Sequence, residues 1–379
     1  MAIDSADATV VNATNMGDRS TLEDFVRWGT EISHRDHTML IMWGHGDGTT
    51  LWYQILVAGA DPFLINSVGF AAMLEGQGHD TNSEQLIAIP HDPSSESSIA
   101  LSGNPLPLNL DDVKTAIATA MGQNQLDVVV LDACNMGSIE ASYELHATAR
   151  LLVTDERSHE PGVWDYTSLL NSLERAPETM QAAAAAQHAF VDQFQPFLSR
   201  RLSIVNLNGI DALGDQISKL AQRLSVSGRN DVVLSGREVA AEQTESGIPA
   251  DRIDLGHFLK AMRDSVQVPD SVRVQAAITY EALQNANASS STSPDDFLSV
   301  YFPASPDQWH GDTDLDACKN DGQHPLAFVC NTCWYELFRP YFRETRAPLC
   351  TRTPLSANHV PVESVLRFTR EQCRAGGGS

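Results

Sequence analysis

The chain has 379 residues, which is enough for one large domain with additions or for two domains. Its composition is that of a globular protein, 42% hydrophobic and 20% charged, but the formal net charge is −24. This charge argues against nucleic acid and anionic membranes as partners and favours cationic substrates. The opening residues are acidic and polar, unlike a secretory signal. The longest apolar region, residues 51–74, is interrupted by polar residues and does not indicate a membrane span.

The first predicted elements are a helix and a buried strand that leads to a histidine. Ser20 and Glu23 have the spacing of a capping box, which predicts a helix beginning near Ser20. Residues 39–43 (MLIMW) are continuously apolar, as in a buried strand, and they lead directly into Gly-His45-Gly. We expect most of residues 49–105 to be an insertion or a long loop that contains a hairpin.

A second buried strand leads to a cysteine. A short helix is predicted over 111–121, and the Val-rich run 126–132 (LDVVVLD) is typical of a strand covered on both faces. The chain then reaches Cys134 and is predicted to turn helical from Ser138. We therefore expect Cys134 to lie near a helix N-terminus, whose partial positive charge favours the thiolate.

Strands and helices continue to alternate along the rest of the chain. This alternation predicts an α/β fold with a mostly parallel central sheet and helices on both faces. Strands are predicted at 150–154, 202–207 and 297–302, and helices at 165–174, 178–195, 210–224, 254–263 and 270–285.

The strands before His45 and Cys134 share one pattern, a buried run followed by a reactive residue. If they are neighbours in a parallel sheet, both side chains emerge at the same edge, as in the Cys/His pairs of nucleophilic catalysis. The backbone N–H groups of Gly46 and Cys134 are then candidates for an oxyanion hole. The alternative is structural, because a lone buried cysteine usually acts as a small hydrophobe and a histidine in a glycine-rich turn is usually structural.

The same two stretches carry a resemblance to a known family. Residues 132–140 (DACNMGSIE) closely resemble the nucleophile motif of the clostripain family of cysteine endopeptidases, and residues 41–48 (IMWGHGDG) resemble its histidine motif. Ordered matches over much of the chain are more specific than either motif alone. The flanking matching blocks are residues 15–25, 160–166, 253–255 and 298–303.

The resemblance implies a caspase-like α/β/α sandwich and a Cys–His dyad. Cys134 would be the nucleophile that forms a thioester with the substrate acyl group. His45 would be the general acid/base, and its main role would be to protonate the leaving amine. The family's preference is for Arg, and less often Lys, before the scissile bond.

This preference has candidate determinants in the sequence. Asp132 lies two residues before Cys134, on the same side of an extended strand, and is a candidate floor for a pocket that accepts a basic side chain. Its alternative role is that of a turn or helix-cap residue. As a second pocket acid we favour Asp165 over Glu160 and Asp155.

The resemblance also suggests domain boundaries. We assign residues 1–305 to the caspase-like domain, with an insertion at about 49–105, residues 306–375 to a Cys-rich C-terminal extension, and residues 376–379 to a linker-like tail. The family's first strand and helix normally precede the block at 15–25, close to where this sequence begins, so we expect the sheet to lack them. No Lys or Arg lies between Arg35 and Lys114, which argues against self-cleavage after a basic residue within the insertion.

Every cysteine except Cys134 lies at or beyond Cys318. Cys330 and Cys333 form a CxxC, but no second CxxC or HxxxH accompanies it, so disulfides are favoured over zinc. The dyad requires no cofactor, and calcium is retained by family analogy although no EF-hand loop is present. The same analogy favours a secreted or cell-envelope location. The sequence leaves the oligomeric state open.

We therefore predict a cysteine endopeptidase that acts on polypeptides after Arg or Lys. One alternative is a catalytically inactive protein that uses the same fold to bind peptides. Another is an active peptidase with a non-basic specificity. The presence of both His45 and Cys134 favours catalysis, because a degenerate member would usually have lost one of them.

Overall fold

Strands and helices alternate through the chain, as the sequence predicts. The computed structural model describes residues 17–33, 38–43, 45–46, 50–55, 63–65, 108–157, 165–173, 178–189, 202–243, 248–289, 294–305 and 326–338. The strands are β1 (Met39–Trp43), β2 (His45–Gly46), β3 (Thr50–Ile55), β4 (Phe63–Ile65), β5 (Leu108–Asn109), β6 (Leu126–Asp132), β7 (Ala149–Thr154), β8 (Ser203–Asn206), β9 (Arg252–Asp254) and β10 (Ser299–Tyr301). The helices are α1 (Arg19–Ser33), α2 (Leu110–Met121), α3 (Ile139–Leu145), α4 (Tyr166–Leu173), α5 (Thr179–Ala189), α6 (Ile210–Ser227), α7 (Asn230–Gln243), α8 (Leu255–Asp264), α9 (Asp270–Ala286) and α10 (Ala327–Asn331).

The central sheet has the strand order β1-β6-β7-β8. Both β1 and β7 pair with β6 in parallel, and β8 pairs antiparallel with β7. An antiparallel edge strand on an otherwise parallel sheet is common in α/β folds. The prediction of a mostly parallel sheet is therefore confirmed.

The two faces of this sheet pack into separate hydrophobic cores. Val129 and Leu131 of β6 belong to the larger core, which includes side chains of α1, α2, α3 and α6. Val128 and Val130 alternate with them and belong to a smaller core with side chains of α4 and α5. Helices thus cover both faces, all seven residues of β6 are buried, and the fold is the expected α/β/α sandwich.

Helix α3, which follows the Cys134 turn, is buried along its whole length and includes two glutamates. Buried carboxylates are stable only when they are paired or hydrogen-bonded. Glu140 accepts a hydrogen bond from the Tyr301 N–H at 2.8 Å and forms an ion pair with Arg252 at 3.3 Å. Glu144 is paired with Lys114 of α2. The two carboxylates therefore connect α3 to β9, β10 and α2.

An aromatic cluster joins residues 326–338 to the larger core. Trp334 is fully buried, and its ring lies edge-on to those of Phe258 and Phe302, with ring centroids 5.7 Å apart in both cases. Its Nε1–H donates to the Tyr301 carbonyl at 2.8 Å. Residues 326–338 fall within the predicted C-terminal extension, so this part of the extension packs into the same core as α8 and β10.

Cys330 and Cys333 are both disulfide-bonded. This agrees with the expectation of disulfides rather than a zinc site in the C-terminal part of the chain. Cys318, Cys350 and Cys373, for which disulfides were also expected, lie outside the described residues.

Helix α7 was not predicted from the sequence, and its buried face explains why. That face contains Gly236 and Arg237 in place of large apolar residues. A Cβ atom at Gly236 would overlap the side chain of Met262. The Arg237 Nε–H donates to the Phe302 carbonyl at 3.0 Å. A glycine and an arginine at buried positions interrupt the apolar period by which a helix is recognised.

Two local predictions near the start of the chain have different outcomes. The capping box at Ser20 is wrong, because the N–H and Oγ of Ser20 both donate to Oδ1 of Asp18 at 2.8 Å and the helix begins at Arg19. The expected hairpin is confirmed as β3 and β4, which pair antiparallel. The rest of the predicted insertion between β4 and residue 105 lies outside the described residues.

Candidate active site

The pairing of β1 with β6 brings both predicted dyad residues to one edge of the sheet. The register places Trp43 opposite Asp132, and these are the last residues of the two strands. His45 and Cys134 each follow two residues later, so the parallel pairing places both beyond the same edge of the sheet. The prediction that the two strands are parallel neighbours is confirmed.

Gly46 brings the His45 strand into contact with the Cys134 turn. Strand β2 pairs antiparallel with β3, with His45 opposite Trp52. A Cβ atom added to Gly46 would overlap the carbonyl oxygen of Cys134 and would lie 2.7 Å from Cγ of Met136. Glycine permits this close approach of the two segments because it has no side chain. The side chain of His45 lies outside the described part of the structure, so its interaction with Cys134 stays a prediction.

Cys134 is a partly exposed cysteine outside any disulfide, at a sharp turn after β6. The next residue, Asn135, has φ 60°, in the left-handed region that Asn tolerates better than most residues. The Asn135 N–H donates to the Arg157 carbonyl at 3.0 Å, and the Gly137 N–H donates to the Asp155 carbonyl at 2.6 Å. The segment after β7 therefore holds the nucleophile turn in place.

The helix after this turn begins where the sequence predicts. Ser138 caps α3, and its Oγ accepts a hydrogen bond from the Ala141 N–H at 3.0 Å. Cys134 lies four residues before this cap. The prediction that Cys134 precedes a helix that starts at Ser138 is therefore confirmed, and the effect of this helix on the thiol stays a prediction.

Asp132 ends β6 with its carboxylate beside a tyrosine. The residue is only 3% exposed, and the Tyr166 hydroxyl donates a hydrogen bond to its Oδ2. Burial raises the pKa of Tyr166, and the charge of Asp132 raises this pKa further, so the hydroxyl remains a donor at neutral pH. Sequence reasoning missed Tyr166 as a site residue, although it belongs to the conspicuous block at 160–166.

Asp165 has a different environment. It is exposed, and it precedes the first residue of α4. Its Oδ1 accepts from the Ser168 N–H at 2.9 Å and its Oδ2 accepts from the Ser168 hydroxyl at 2.6 Å. These hydrogen bonds lower the pKa of Asp165. The carboxylate thus caps α4, and its predicted role as a second pocket acid stays a prediction.

A pair of buried carboxyl groups lies directly behind the nucleophile turn. A Cβ atom at Gly137 would overlap the backbone nitrogen of Glu156, so the two segments are in contact. The carboxyl groups of Glu156 and Asp254 are both buried and interact electrostatically. Burial raises the pKa of Glu156 to about 8, and burial together with the charge of Glu156 raises the pKa of Asp254 well above its usual value.

Calcium was retained from the sequence by family analogy. Among the residues that the structure describes, no three His, Cys, Asp or Glu side chains are grouped so that they could hold a metal ion. A calcium requirement stays a prediction.

Comparison with family models decides the class of protein. The model of the clostripain family, Peptidase_C11, matches residues 102–336, which is more than half of the chain. The chain belongs to the clostripain family. This clostripain-family protein is therefore a cysteine peptidase, a hydrolase. The matched region includes Cys134, Asp132 and Asp165 and begins after His45.

Several solved structures match the chain at low sequence identity. An inactive zymogen C11 protease from Parabacteroides distasonis is 12% identical, with 87% of this chain and 78% of that chain covered and a TM-score of 0.47. A secreted C11 cysteine protease from Bacteroides thetaiotaomicron, in complex with an irreversible peptide inhibitor, is 14% identical, with 87% and 77% covered and a TM-score of 0.45. A clostripain from B. thetaiotaomicron with a peptide inhibitor is 13% identical, with 60% of this chain and 93% of that chain covered and a TM-score of 0.37. A comparison with curated proteins gave no match.

The contact of Gly46 with the Cys134 turn predicts that Gly46→Ala impairs catalysis. The added methyl group would displace β2, and with it His45, from the nucleophile turn, and a displacement of about 1 Å can reduce a rate on the order of 100-fold. The measurement is kcat/KM on a peptide substrate, with circular dichroism to verify folding. Gly29→Ala on α1 is the control, since no atom lies within 4 Å of its added Cβ. A folded Gly46→Ala variant with wild-type kcat/KM would contradict the assigned contact.

The buried Glu156 predicts a pH-dependent stability. Between about pH 5 and pH 8 the unfolded chain loses the Glu156 proton while the folded chain retains it, so the free energy of unfolding falls as the pH rises. Glu156→Gln is uncharged at every pH. Between pH 5 and pH 8, the free energy of unfolding of this variant should therefore fall less than that of the wild-type protein. The difference between the two falls should be on the order of 1–3 kcal/mol.

Urea unfolding at pH 5 and pH 8 measures this effect. Glu238→Gln is the matched control, because Glu238 is exposed on α7. The control should keep the wild-type difference between the two pH values. If Glu156→Gln also keeps that difference, Glu156 is not protonated in the folded protein.

Proposed function

We propose that this clostripain-family chain is an endopeptidase that cleaves after Arg, and less readily after Lys, through a dyad of Cys134 and His45. The observation that carries the proposal is the contact of the Gly46 backbone with the Cys134 turn at the aligned ends of β1 and β6. Polypeptide substrates follow from membership of a peptidase family.

In the proposed reaction, the Cys134 thiolate attacks the carbonyl carbon of the scissile peptide bond. The bond between that carbon and the amide nitrogen breaks, and His45 donates a proton to the departing amine. The resulting thioester is then hydrolysed by water, which regenerates the thiol. In this proposal His45 activates the thiol by accepting its proton.

The backbone N–H groups of Gly46 and Cys134 are the proposed oxyanion hole. Both belong to the segments that approach each other at this edge of the sheet. Backbone donors are already fixed in position by the surrounding strands, so they stabilise the developing oxyanion without reorganisation. A substrate carbonyl placed over Cys134 would lie close to both segments.

Asp132 is the proposed determinant of basic specificity. It lies two residues before the nucleophile, and the residue is 3% exposed, so a cation that reaches it is shielded from water. Charge pairing is stronger in such an environment than at the surface. We propose Asp165 as a weaker second acid, because it is exposed and its carboxylate already caps α4.

We propose that the reaction requires no cofactor and that the protein works in an oxidising compartment, either secreted or at the cell envelope. The disulfide-bonded Cys330 and Cys333 support this location, since disulfides are rare in the cytosol. None of the helices in the described ranges has the length and apolar composition to cross a membrane. The net charge of −24 disfavours nucleic acid and anionic membranes as partners.

The proposed function predicts the outcome of a substrate panel. Fluorogenic peptides that differ only before the scissile bond should be cleaved fastest with Arg, more slowly with Lys and least with a neutral residue. Cleavage should be the same with calcium and with a chelator. Cys134→Ala should reduce turnover on the order of 10³-fold or more.

The substrate panel also distinguishes the contributions of Asp132 and Asp165 to the preference for Arg. Asp132→Asn should reduce the preference for Arg over a neutral residue about 10- to 100-fold, because a charge pair is lost. Asp165→Asn should reduce it only about 3-fold, and it keeps the helix cap because Asn caps as well as Asp. Cleavage after a neutral residue as fast as after Arg would indicate a non-basic peptidase. Absence of turnover, with peptides still bound, would indicate an inactive binding protein.

A further inference from the structure

The residues that follow Cys134 are attached by their backbone N–H groups to the segment 155–157, which comes directly after β7. The Asn135 N–H donates to the Arg157 carbonyl at 3.0 Å, and the Gly137 N–H donates to the Asp155 carbonyl at 2.6 Å. The direction of these two carbonyl groups therefore decides where this part of the turn lies. Because Asn135 is the next residue after Cys134, a displacement of the Arg157 carbonyl would also displace the thiol.

One carboxylate oxygen fixes the conformation of the segment 155–157. Oδ1 of Asp155 accepts two hydrogen bonds from Arg157, one from its backbone N–H and one from its Nε–H, each at 3.1 Å. The first bond closes a turn of the kind that Asp side chains commonly make with the backbone two residues further on. The second belongs to a buried ion pair, in which Asp155 is 2% exposed and Arg157 is 5% exposed. In such an environment, water does not readily replace either bond.

The other end of the nucleophile turn is held by a different part of the fold. The Gly137 carbonyl accepts from the Ser299 N–H of β10 at 2.9 Å, and Ser138 caps α3. These contacts do not involve the segment 155–157. Loss of the Asp155 carboxylate should therefore release the Cys134 side of the turn while α3 stays attached to β10.

We propose that Asp155 is a positioning residue for the nucleophile, which holds Cys134 at the attacking position through the backbone of residues 155–157. This inference rests on the proposed function, in which Cys134 attacks the scissile carbonyl. Asp155 acts through the Arg157 carbonyl and is not a catalytic residue. On sequence grounds it was an alternative to Asp165 as a pocket acid, and it is thus assigned a different role.

The first test separates kcat from KM for an Arg peptide. In Asp155→Ala the two hydrogen bonds to Arg157 are lost, and a displacement of the thiol by about 1 Å should lower kcat on the order of 100-fold. KM should change little, because Asp132 at the floor of the proposed pocket is left in place. Asp155→Asn keeps a neutral acceptor for the Arg157 N–H, so its kcat should be only about 3- to 10-fold below that of the wild-type protein.

Asp231→Ala is the matched control for this test. Oδ1 of Asp231 also accepts from the Nε–H of an arginine two residues away, Arg229, at 2.9 Å, but this pair is exposed near the start of α7. The control should keep the wild-type kcat. A folded Asp155→Ala variant with wild-type kcat, or with only KM changed, would overturn the proposal. If Asp155→Ala does not fold, Asp155→Asn decides, and a wild-type kcat in that variant would overturn the proposal.

A second measurement requires no substrate. Hydrogen exchange with mass spectrometry reports how well the backbone N–H groups of Asn135 and Gly137 are held. In the Asp155 variants, the peptide that contains these two residues should exchange about 10- to 100-fold faster, whereas the peptide of α3 should exchange as in the wild-type protein. Unchanged exchange at residues 135–137 would overturn the proposal. If exchange rises there but the wild-type protein cleaves no peptide, the proposed function fails while the support of the turn by Asp155 stands.

Discussion

The parallel pairing of β1 with β6 is the constraint on which the site depends. It ends both strands at the same level, with Trp43 opposite Asp132, and two further residues on each side lead to His45 and Cys134. Successive side chains of a strand point to opposite faces, so a shift of the chain by one residue would turn Asp132 from the smaller core to the larger one. Burial of Val and Leu on both faces of β6 therefore fixes the chemistry at its end.

The nucleophile turn is held by polar groups that have no direct part in the proposed reaction. The segment after β7 supports it through backbone hydrogen bonds from Asn135 and Gly137, and the carboxyl pair of Glu156 and Asp254 lies behind it. On the other side, the buried carboxylate of Glu140 holds β9 and β10 against α3. Buried charges are costly unless paired, so these interactions are sensitive to loss of a single partner. The turn that contains the thiol is therefore held by hydrogen bonds to the segment after β7.

Much of the fold was readable from the sequence because it depends on local apolar patterns. The runs at 39–43 and 126–132 predicted the two central strands, and their common form predicted that His45 and Cys134 share a sheet edge. Helix α7 was missed because its buried face contains Gly236 and Arg237, whose positions make sense only beside Met262 and Phe302. Contacts between distant segments leave no local pattern.

In the candidate site, too, the residues within a local motif were predicted and those that depend on contacts between distant segments were not. Asp132 was found because it lies within a motif, whereas its partner Tyr166 could not be assigned, since their contact depends on how α4 packs against the sheet. The sequence also predicted that the chain turns helical from Ser138, which is the N-cap of α3. Its distance from the thiol is set by the turn at Asn135, and left-handed backbone geometry at a non-glycine residue is not evident from residue type alone.

The most direct test of the account is the identity of the residue that an arginyl acyloxymethyl ketone labels. This electrophile is held by its Arg side chain and forms a thioether with the attacking cysteine. Intact mass and peptide mapping should show one adduct per chain, on Cys134, formed more slowly in His45→Ala. An adduct on another residue, or none in a preparation that cleaves Arg peptides, would contradict the assignment of Cys134 as the nucleophile.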